Sequence, residues 1–353
     1  MKAIDMRLGE VKIDTHENIK KFIAANALKK WPGYTMKGGS KALRELIVDW
    51  DSAVENTEEV LISDGATSAL SLLISHFKDK KILIPNPSFI HYTKILNHNN
   101  CEYETYRILN SWEHTISDIK KGLDNNAQVI IWNSPNNPTG LLAPYEIEEE
   151  LEKLCTQYGS YLIDDDVYRE FISNSSQKRE FRISLKGKYL KVYSFSKSFS
   201  LAGIRVGYVS GDKNIIKSLT NVQWDLKMST SWLSQLAARG ALTYAKNFPM
   251  ELYSYCKQNI NWAKTYLDKE NIPYLMPQAG MFLCVDIKNT RLTSQNFVLR
   301  LSQEKNLLLT PGYVFGTESS SFIRLSAGVD KKEFEVAIVR LAEFYKEICN
   351  EME

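Results

Sequence analysis

Lys197 lies in the run Ser194-Phe195-Ser196-Lys197-Ser198-Phe199-Ser200, one amine among hydroxyls and aromatic rings. The run follows an apolar stretch and precedes Leu201-Ala202-Gly203. Most lysines are solvated surface cations. A lysine delivered to a strand end in such surroundings is partly desolvated, which lowers its pKa and makes it a candidate imine-forming amine. Arg205, eight residues on, adds a permanent positive charge; with the Ser194 and Ser196 hydroxyls it could hold a phosphate. Asp164-Asp165-Asp166 follows Tyr161-Leu162-Ile163. Three consecutive carboxylates read as an exposed acidic loop or a metal site, or as an apolar strand delivering a buried counter-charge for a protonated ring nitrogen, with the Tyr168 phenol close by. In Asp64-Gly65-Ala66-Thr67-Ser68, Gly65 allows close backbone approach to a ligand. The amides of Ala66 and Thr67 there suit an anion, and a plain strand-to-helix turn would look the same. Asn133-Ser134-Pro135-Asn136-Asn137-Pro138-Thr139-Gly140 is rich in turn formers, which alone means a tight connection.

Each of these segments follows a short apolar run, and carboxyl ends of parallel strands are where such folds build ligand sites. The runs at 60–63, 81–84, 129–132, 161–163, 191–194 and 204–210 read as strands, several uninterrupted as burial on both faces requires. Helical patterns at 66–77 and 146–158 lie between them. The expectation is an α/β fold: a large domain (39–245) with a mostly parallel sheet sandwiched by helices, plus a smaller α+β domain. The smaller domain comprises 246–353 and the N-terminal segment 1–38, with a helix at 250–269, a strand at 281–287 and a closing helix at 330–352. In the last helix Phe334, Ala337, Ile338, Leu341, Tyr345 and Ile348 keep helical spacing, and Asp330 with Glu333 offers an N-cap pair.

Composition removes other classes. The 353 residues carry 44 Lys+Arg against 42 Asp+Glu, a net charge of +2, with no basic tract of the kind nucleic-acid binders show. No apolar run approaches the ~18 residues of a membrane span, and the N-terminus lacks the apolar core of a secretory signal. The five cysteines are scattered without CxxC spacing, which points to reduced thiols in a cytoplasmic protein with neither a metal site nor a disulfide framework. No GxGxxG follows the first strand, which disfavours a nicotinamide-dependent dehydrogenase. A ligand sensor built on the same fold would carry an added DNA-binding domain, for which 1–40 leaves no room.

Taken in order, these segments resemble the fold type I pyridoxal-phosphate (PLP) enzymes, specifically the class I/II aminotransferases. SPNNPTG is similar to the family's Asn-Pro-Thr-Gly loop, DDDVY to its Asp-x-x-Tyr motif and SFSKSFSLAGIRVGY to its lysine segment. Leu8-Gly9-Glu10 with Asp14-Thr15 and Glu17-Asn18-Ile19 resembles its N-terminal Gly-Glu-Pro segment. Tyr34-Thr35, Gly39 and Leu43-Arg44 follow its Tyr-Thr-Pro, Gly and Leu-Arg pattern, and Phe322-Ile323-Arg324-Leu325-Ser326 its substrate-arginine segment. The resemblance implies that Lys197 bonds PLP as an internal aldimine and then shuttles a proton, while Asp165 pairs with the ring nitrogen. It implies further that Asn137 and Tyr168 hydrogen-bond the ring hydroxyl and Phe89 stacks on the ring. Gly65, Ala66, Thr67, Ser194 and Arg205 would hold the phosphate, with Tyr34 of the partner subunit reaching it in a homodimer with shared active sites. Arg324, with Gly9 and Asn137, would bind the substrate carboxylate.

The chain departs from the family at Arg7, where glycine is frequent, and at Val11 and His16, frequent proline positions. Arg7 is either a substrate-facing cation or a solvated surface arginine. Phe89 stands where histidinol-phosphate aminotransferases have Tyr, and Leu307-Leu308-Leu309-Thr310-Pro311-Gly312 lacks the arginine with which those enzymes bind a substrate phosphate. Both features argue against a phosphorylated substrate. The reaction expected is amino-group transfer between an L-amino acid and a 2-oxo acid; decarboxylation, β-elimination and cyclisation share the same motifs.

Overall fold

A computed structural model of the chain describes residues 2–27, 29, 33–173, 181, 185 and 187–351, and all elements below belong to those residues. Strand β1 (Ile4–Asp5) is two residues long. The large sheet is built from β2 (Val60–Ser63), β3 (Ile82–Asn86), β4 (Tyr103–Arg107), β5 (Val129–Trp132), β6 (Tyr161–Asp165), β7 (Tyr189–Ser194) and β8 (Gly207–Gly211). Across the sheet they run β2-β8-β7-β6-β5-β3-β4. All neighbours are parallel except β8, which is antiparallel to both β2 and β7. The mostly parallel α/β architecture expected from the apolar runs is the one found.

Strands β2, β5 and β7 are buried along their whole length, as strands covered on both faces must be. Successive side chains point to opposite faces. Thus Ile84, Ile131, Ile163 and Val192 join one apolar cluster, while Leu83, Ile130, Leu162 and Tyr189 join another. The same alternation sends Asp165 to the face of Ile163, and Asp164 to the face of Leu162. Strand β4 was not expected: its Tyr-Glu-Thr-Tyr-Arg sequence is half polar because it is an edge strand, with only Tyr106 buried. The run at 204–210 is shorter than expected. Residues Ala202–Ile204 form a 3-10 turn and Arg205 sits at φ 61, so β8 starts only at Gly207. A left-handed residue cannot continue a strand.

The C-terminal part builds a separate sheet. Strands β9 (Tyr274–Leu275) and β10 (Phe282–Asp286) precede β11 (Leu307–Leu308), β12 (Thr310–Pro311) and β13 (Phe322–Ser326). Four of them form an antiparallel sheet in the order β12-β13-β10-β9, while β11 pairs in parallel with β1. The helices Phe248–Lys269 and Lys331–Glu351 pack beside this sheet, and all six periodic residues from Phe334 to Ile348 are buried. Asp330 Oδ1 accepts from the amides of Lys332 (2.9 Å) and Glu333 (3.2 Å), the N-cap its position promised.

Candidate active site

Strand β7 ends in Ser194, whose hydroxyl accepts from the Ser196 amide (3.2 Å) and starts the single helical turn Phe195–Ser198. That turn aims Lys197 into a cavity, where its ammonium donates to the Gly9 carbonyl. Burial, and after it the charge of Arg324, push the Lys197 amine down to about 8; Glu10 and Asp165 oppose the shift and Arg205 adds to it. The amine is thereby brought near neutrality, as a nucleophile requires.

Strand β6 delivers Asp165 to the same cavity. Tyr92 donates its hydroxyl proton to Asp165 Oδ2, and Asn133 Nδ2 donates to the Asp165 carbonyl at 2.9 Å. Asn133 Oδ1 also accepts from the Asn137 amide (3.0 Å), so one side chain ties the DDDVY segment to the NSPNNPTG loop. Tyr168 is fully enclosed. Burial raises its phenol above the ordinary tyrosine value, while the Arg324 charge acts against the rise and Asp165 adds to it.

The end of the cavity beside the helix Ala66–His76 is suited to a phosphate. Gly65 stands at the N-cap with φ +82, and a Cβ there would meet Arg205 Nη2 at 3.0 Å. The first amides of this helix receive no side-chain cap from Gly65, leaving donors and a positive dipole end for an anion. Arg205 is held beside them by the carbonyls of Ala202 (2.7 Å) and Asp64 (3.3 Å). The Ser194 hydroxyl donates to Ser196 Oγ at 2.9 Å.

The other cation, Arg324, comes from β13. Its guanidinium lies between the rings of Phe282 and Phe315, 4.4 and 4.7 Å from their centroids, a stacking that favours a planar cation. Nη1 donates to Asn137 Oδ1 (2.9 Å) and Nη2 to the Arg7 carbonyl, while buried Nε has no hydrogen-bond partner among the described residues. Burial lowers Arg324 to about 10, with Tyr168 and Cys284 opposing.

A single cavity of about 430 Å³ is lined by Gly9, Ala66, Thr67, Phe89, Asn137, Asp165, Tyr168, Ser194, Lys197, Arg205 and Arg324. Gly65 abuts it through Arg205. Tyr34 does not line it: the side chain is exposed, at 78%. Arg7 does line it, with its guanidinium engaged by Asp5 at 2.7 Å. The aspartate triplet is buried throughout, so it is not an exposed acidic loop; Asp164 accepts from the Tyr189 hydroxyl (2.8 Å) on the face opposite Asp165.

Three contributors lie outside the expected set. Tyr92 stands one helical turn beyond Phe89, a spacing that puts both on one side, and was the readable signal. The Phe282–Arg324–Phe315 stack has no local signature, because the antiparallel pairing of β10 with β13 creates half of it. Asn133 belongs to the loop that was read, but its double role depends on β5 lying next to β6.

The model of the family described as aminotransferase class I and II matches residues 2–341. The aspartate aminotransferase of Pyrococcus abyssi is 27% identical, the alignment covering 98% of this chain and 92% of that protein. An LL-diaminopimelate aminotransferase of Nitratidesulfovibrio vulgaris is 26% identical over 92% of this chain and 86% of its own length. Among solved structures, a double mutant of Thermus thermophilus aspartate aminotransferase superposes with a TM-score of 0.90 at 21% identity, covering 97% of this chain and 92% of the other. With this architecture and a match over nearly the whole sequence, the chain belongs to the class I and II aminotransferases.

Proposed function

We propose that this aminotransferase moves an amino group between an unphosphorylated L-amino acid and a 2-oxo acid, using PLP held on Lys197. The observation that carries the reading is the convergence of Lys197, Asp165, Arg205 and Arg324 on one cavity. The residues fit the cofactor. A near-neutral amine suits its aldehyde, a buried carboxylate suits its ring nitrogen, and the glycine N-cap leaves room for a phosphate beside Arg205 that a Cβ would crowd. When bound, PLP supplies a conjugated electron sink for the electron pair left at the substrate Cα.

The protein's own groups do the rest. Asp165, steadied by Tyr92 and Asn133, would keep the ring nitrogen protonated. Asn137 and Tyr168 would hold the ring hydroxyl, and Phe89 would pack against the ring. Ala66, Thr67, Ser194 and Arg205 would anchor the phosphate. Arg324, with Nε unengaged and Phe282 and Phe315 fixing its plane, takes the substrate carboxylate as a bidentate partner. Lys197 Nζ then takes the proton from Cα, and partial neutrality near pH 8 equips it for that transfer. We further infer that the cavity lies between a large domain (39–245) and a small one formed by 1–38 with 246–353, each organised on its own sheet. Exposed Tyr34 supports a homodimer in which each subunit lends that phenol to the other's phosphate site. The buried thiols Cys101, Cys155, Cys256 and Cys284 support a reducing, cytoplasmic compartment.

Purified protein incubated with PLP should show a visible chromophore, and borohydride should fix a pyridoxyl group on the peptide carrying Lys197. A panel of amino acids with a 2-oxo acid should yield new amino and keto acids. Release of CO₂ or of a side-chain fragment instead would replace transfer by decarboxylation or elimination, and a protein that takes up no PLP would end the reading.

A further inference from the structure

Behind the aspartate triplet, on the face of the large sheet away from Tyr92, lies a buried group of charges that the reaction does not use. Lys191 is in the middle of β7, flanked by Leu190 and Val192, which belong to the cluster shared with Ile163; Lys191 therefore points to the other face. Its exposure is 1%, and Nζ lies 2.8 Å from Asp51 Oδ1 and 3.5 Å from Asp166 Oδ2. Asp51, wholly buried, is the residue that ends the helix Lys41–Trp50. It also receives Arg169 Nη1 at 3.1 Å and the Tyr208 hydroxyl at 2.6 Å. Arg169 Nη1 is 3.9 Å from Asp166 Oδ2, and its Nε is 3.4 Å from Glu170 Oε1. Lys191 and Arg169 together draw the Asp51 carboxyl well below the ordinary carboxylate range, against the opposing effect of burial.

The order of residues along the turn is what connects this group to the site. Asp165 and Tyr168 face the cavity, while Asp166 and Arg169, the next residue after each, face the charges. The Asp166 amide is also fixed by the Val192 carbonyl at 2.9 Å. The turn is thus gripped from behind by the end of a helix through Asp51 on Arg169 and by β7 through Lys191 on Asp166, while Tyr208 of β8 steadies Asp51. Well-packed apolar side chains of similar volume often replace such buried ion pairs at no loss of stability. What ion pairs and hydrogen bonds add is direction, since their energy depends on where each atom stands.

We propose that Asp51 and Lys191, with Arg169, are positioning residues that fix the 165–168 turn so that Asp165 and Tyr168 keep their aim at the cofactor ring. The proposal rests on the PLP reading. Its test compares apo-protein variants by equilibrium PLP binding, by visible circular dichroism of the bound cofactor and by Tm. In Asp51→Asn/Lys191→Met one charge of each sign goes, and Arg169 and Asp166, 3.9 Å apart, remain as each other's counter-ion. This variant should keep a Tm close to the parent's while its PLP Kd rises about tenfold, the lower end for losing such supporting contacts. Its visible circular dichroism band should change, and kcat should fall with little change in KM for the amino acid. Lys191→Arg, which preserves the cation, should return towards the parent. A folded double variant with the parent's Kd and circular dichroism, or with a Kd that moves only in step with Tm, overturns the proposal. If that variant does not fold, Tyr208→Phe decides, because it removes only a hydroxyl from Asp51: an unchanged Kd and band overturn the proposal, and a weaker, altered binding supports it. A parent protein that takes up no PLP sinks the cofactor reading and this proposal together, whereas a parent that binds PLP beside parent-like variants sinks this proposal alone.

Discussion

Lys197 has a folded-state pKa lowered to about 8, with burial as the first cause and the Arg324 charge as the second. The neutral amine is the reactive form, and it grows as pH rises towards that value. The second-order rate at which apo-protein combines with PLP should therefore fall about tenfold per pH unit well below 8 and level off above it. Stopped-flow absorbance across pH 6–10 checks this, and a profile still climbing past pH 10 would mean an unperturbed lysine. Arg324 carries a second expectation. Arg324→Lys keeps the charge but loses the fork and its fit between Phe282 and Phe315. Losing about 1.5–3 kcal/mol of charged hydrogen bonding lowers kcat/KM by roughly ten- to a hundredfold, mostly as a higher KM for the amino acid. Lys197, Asp165 and Arg205 stood out in the sequence because each is a reactive type just beyond or within an apolar run, whereas Arg324 stood out only through the resemblance of its segment to the family's; the fold brings all four to one cavity. Asp51 and Lys191 did not stand out, because 140 residues separate them in the chain and only the fold makes them partners.

At the scale of elements, the NSPNNPTG loop is held by a turn from the C-terminal sheet. The amides of Gln278 and Ala279 both donate to the Gly140 carbonyl at 2.9 Å, and the Cys284 thiol donates to the Pro138 carbonyl at 3.3 Å. Gly140 itself has φ +69, and a Cβ would stand 2.6 Å from Pro277 Cβ and 2.7 Å from the Ala279 carbonyl oxygen. Gly140→Ala should cost at least about 1–2 kcal/mol from the backbone conformation alone, seen as a lower urea midpoint with an unchanged slope. Because Asn137 sits in the same loop, the variant should also bind PLP less tightly. The elements themselves were read unevenly. Strands at 60–63 and 129–132 have the bounds their apolar runs suggested, since burial on both faces leaves an uninterrupted signal. Strand β4 left none, since an edge strand is half solvated.

At the scale of the whole molecule, Tyr34 is exposed while the phosphate site of its own chain is lined by other residues. If each site borrows that phenol from the other subunit, Lys197→Ala and Tyr34→Phe lesions should complement. Subunits of the two variants, mixed and re-associated, form hybrids in which one site carries both lesions and the other carries none. Half the dimers are hybrids, so the mixture should regain roughly a quarter of parental activity, where two separate homodimers would simply average their own low activities.

Residues 7–10 line the cavity, and the span that carries them is held from both sides. On one side are the two residues of β1 against β11; on the other are Lys12 to the Gly328 carbonyl (2.6 Å) and Thr15 to the Phe199 carbonyl (2.7 Å). Side chains around the cavity add further ties: Arg324 and Thr310 (2.8 Å) to the Arg7 carbonyl, Ser200 to the Val11 carbonyl (3.0 Å) and the Lys197 amine to the Gly9 carbonyl. A cofactor held on Lys197 would exchange the tie to Gly9 for contacts with the ligand, and the span between Met6 and Thr15 would become a gauge of occupancy. Limited proteolysis should nick the span more slowly once a ligand fills the space beneath it than before.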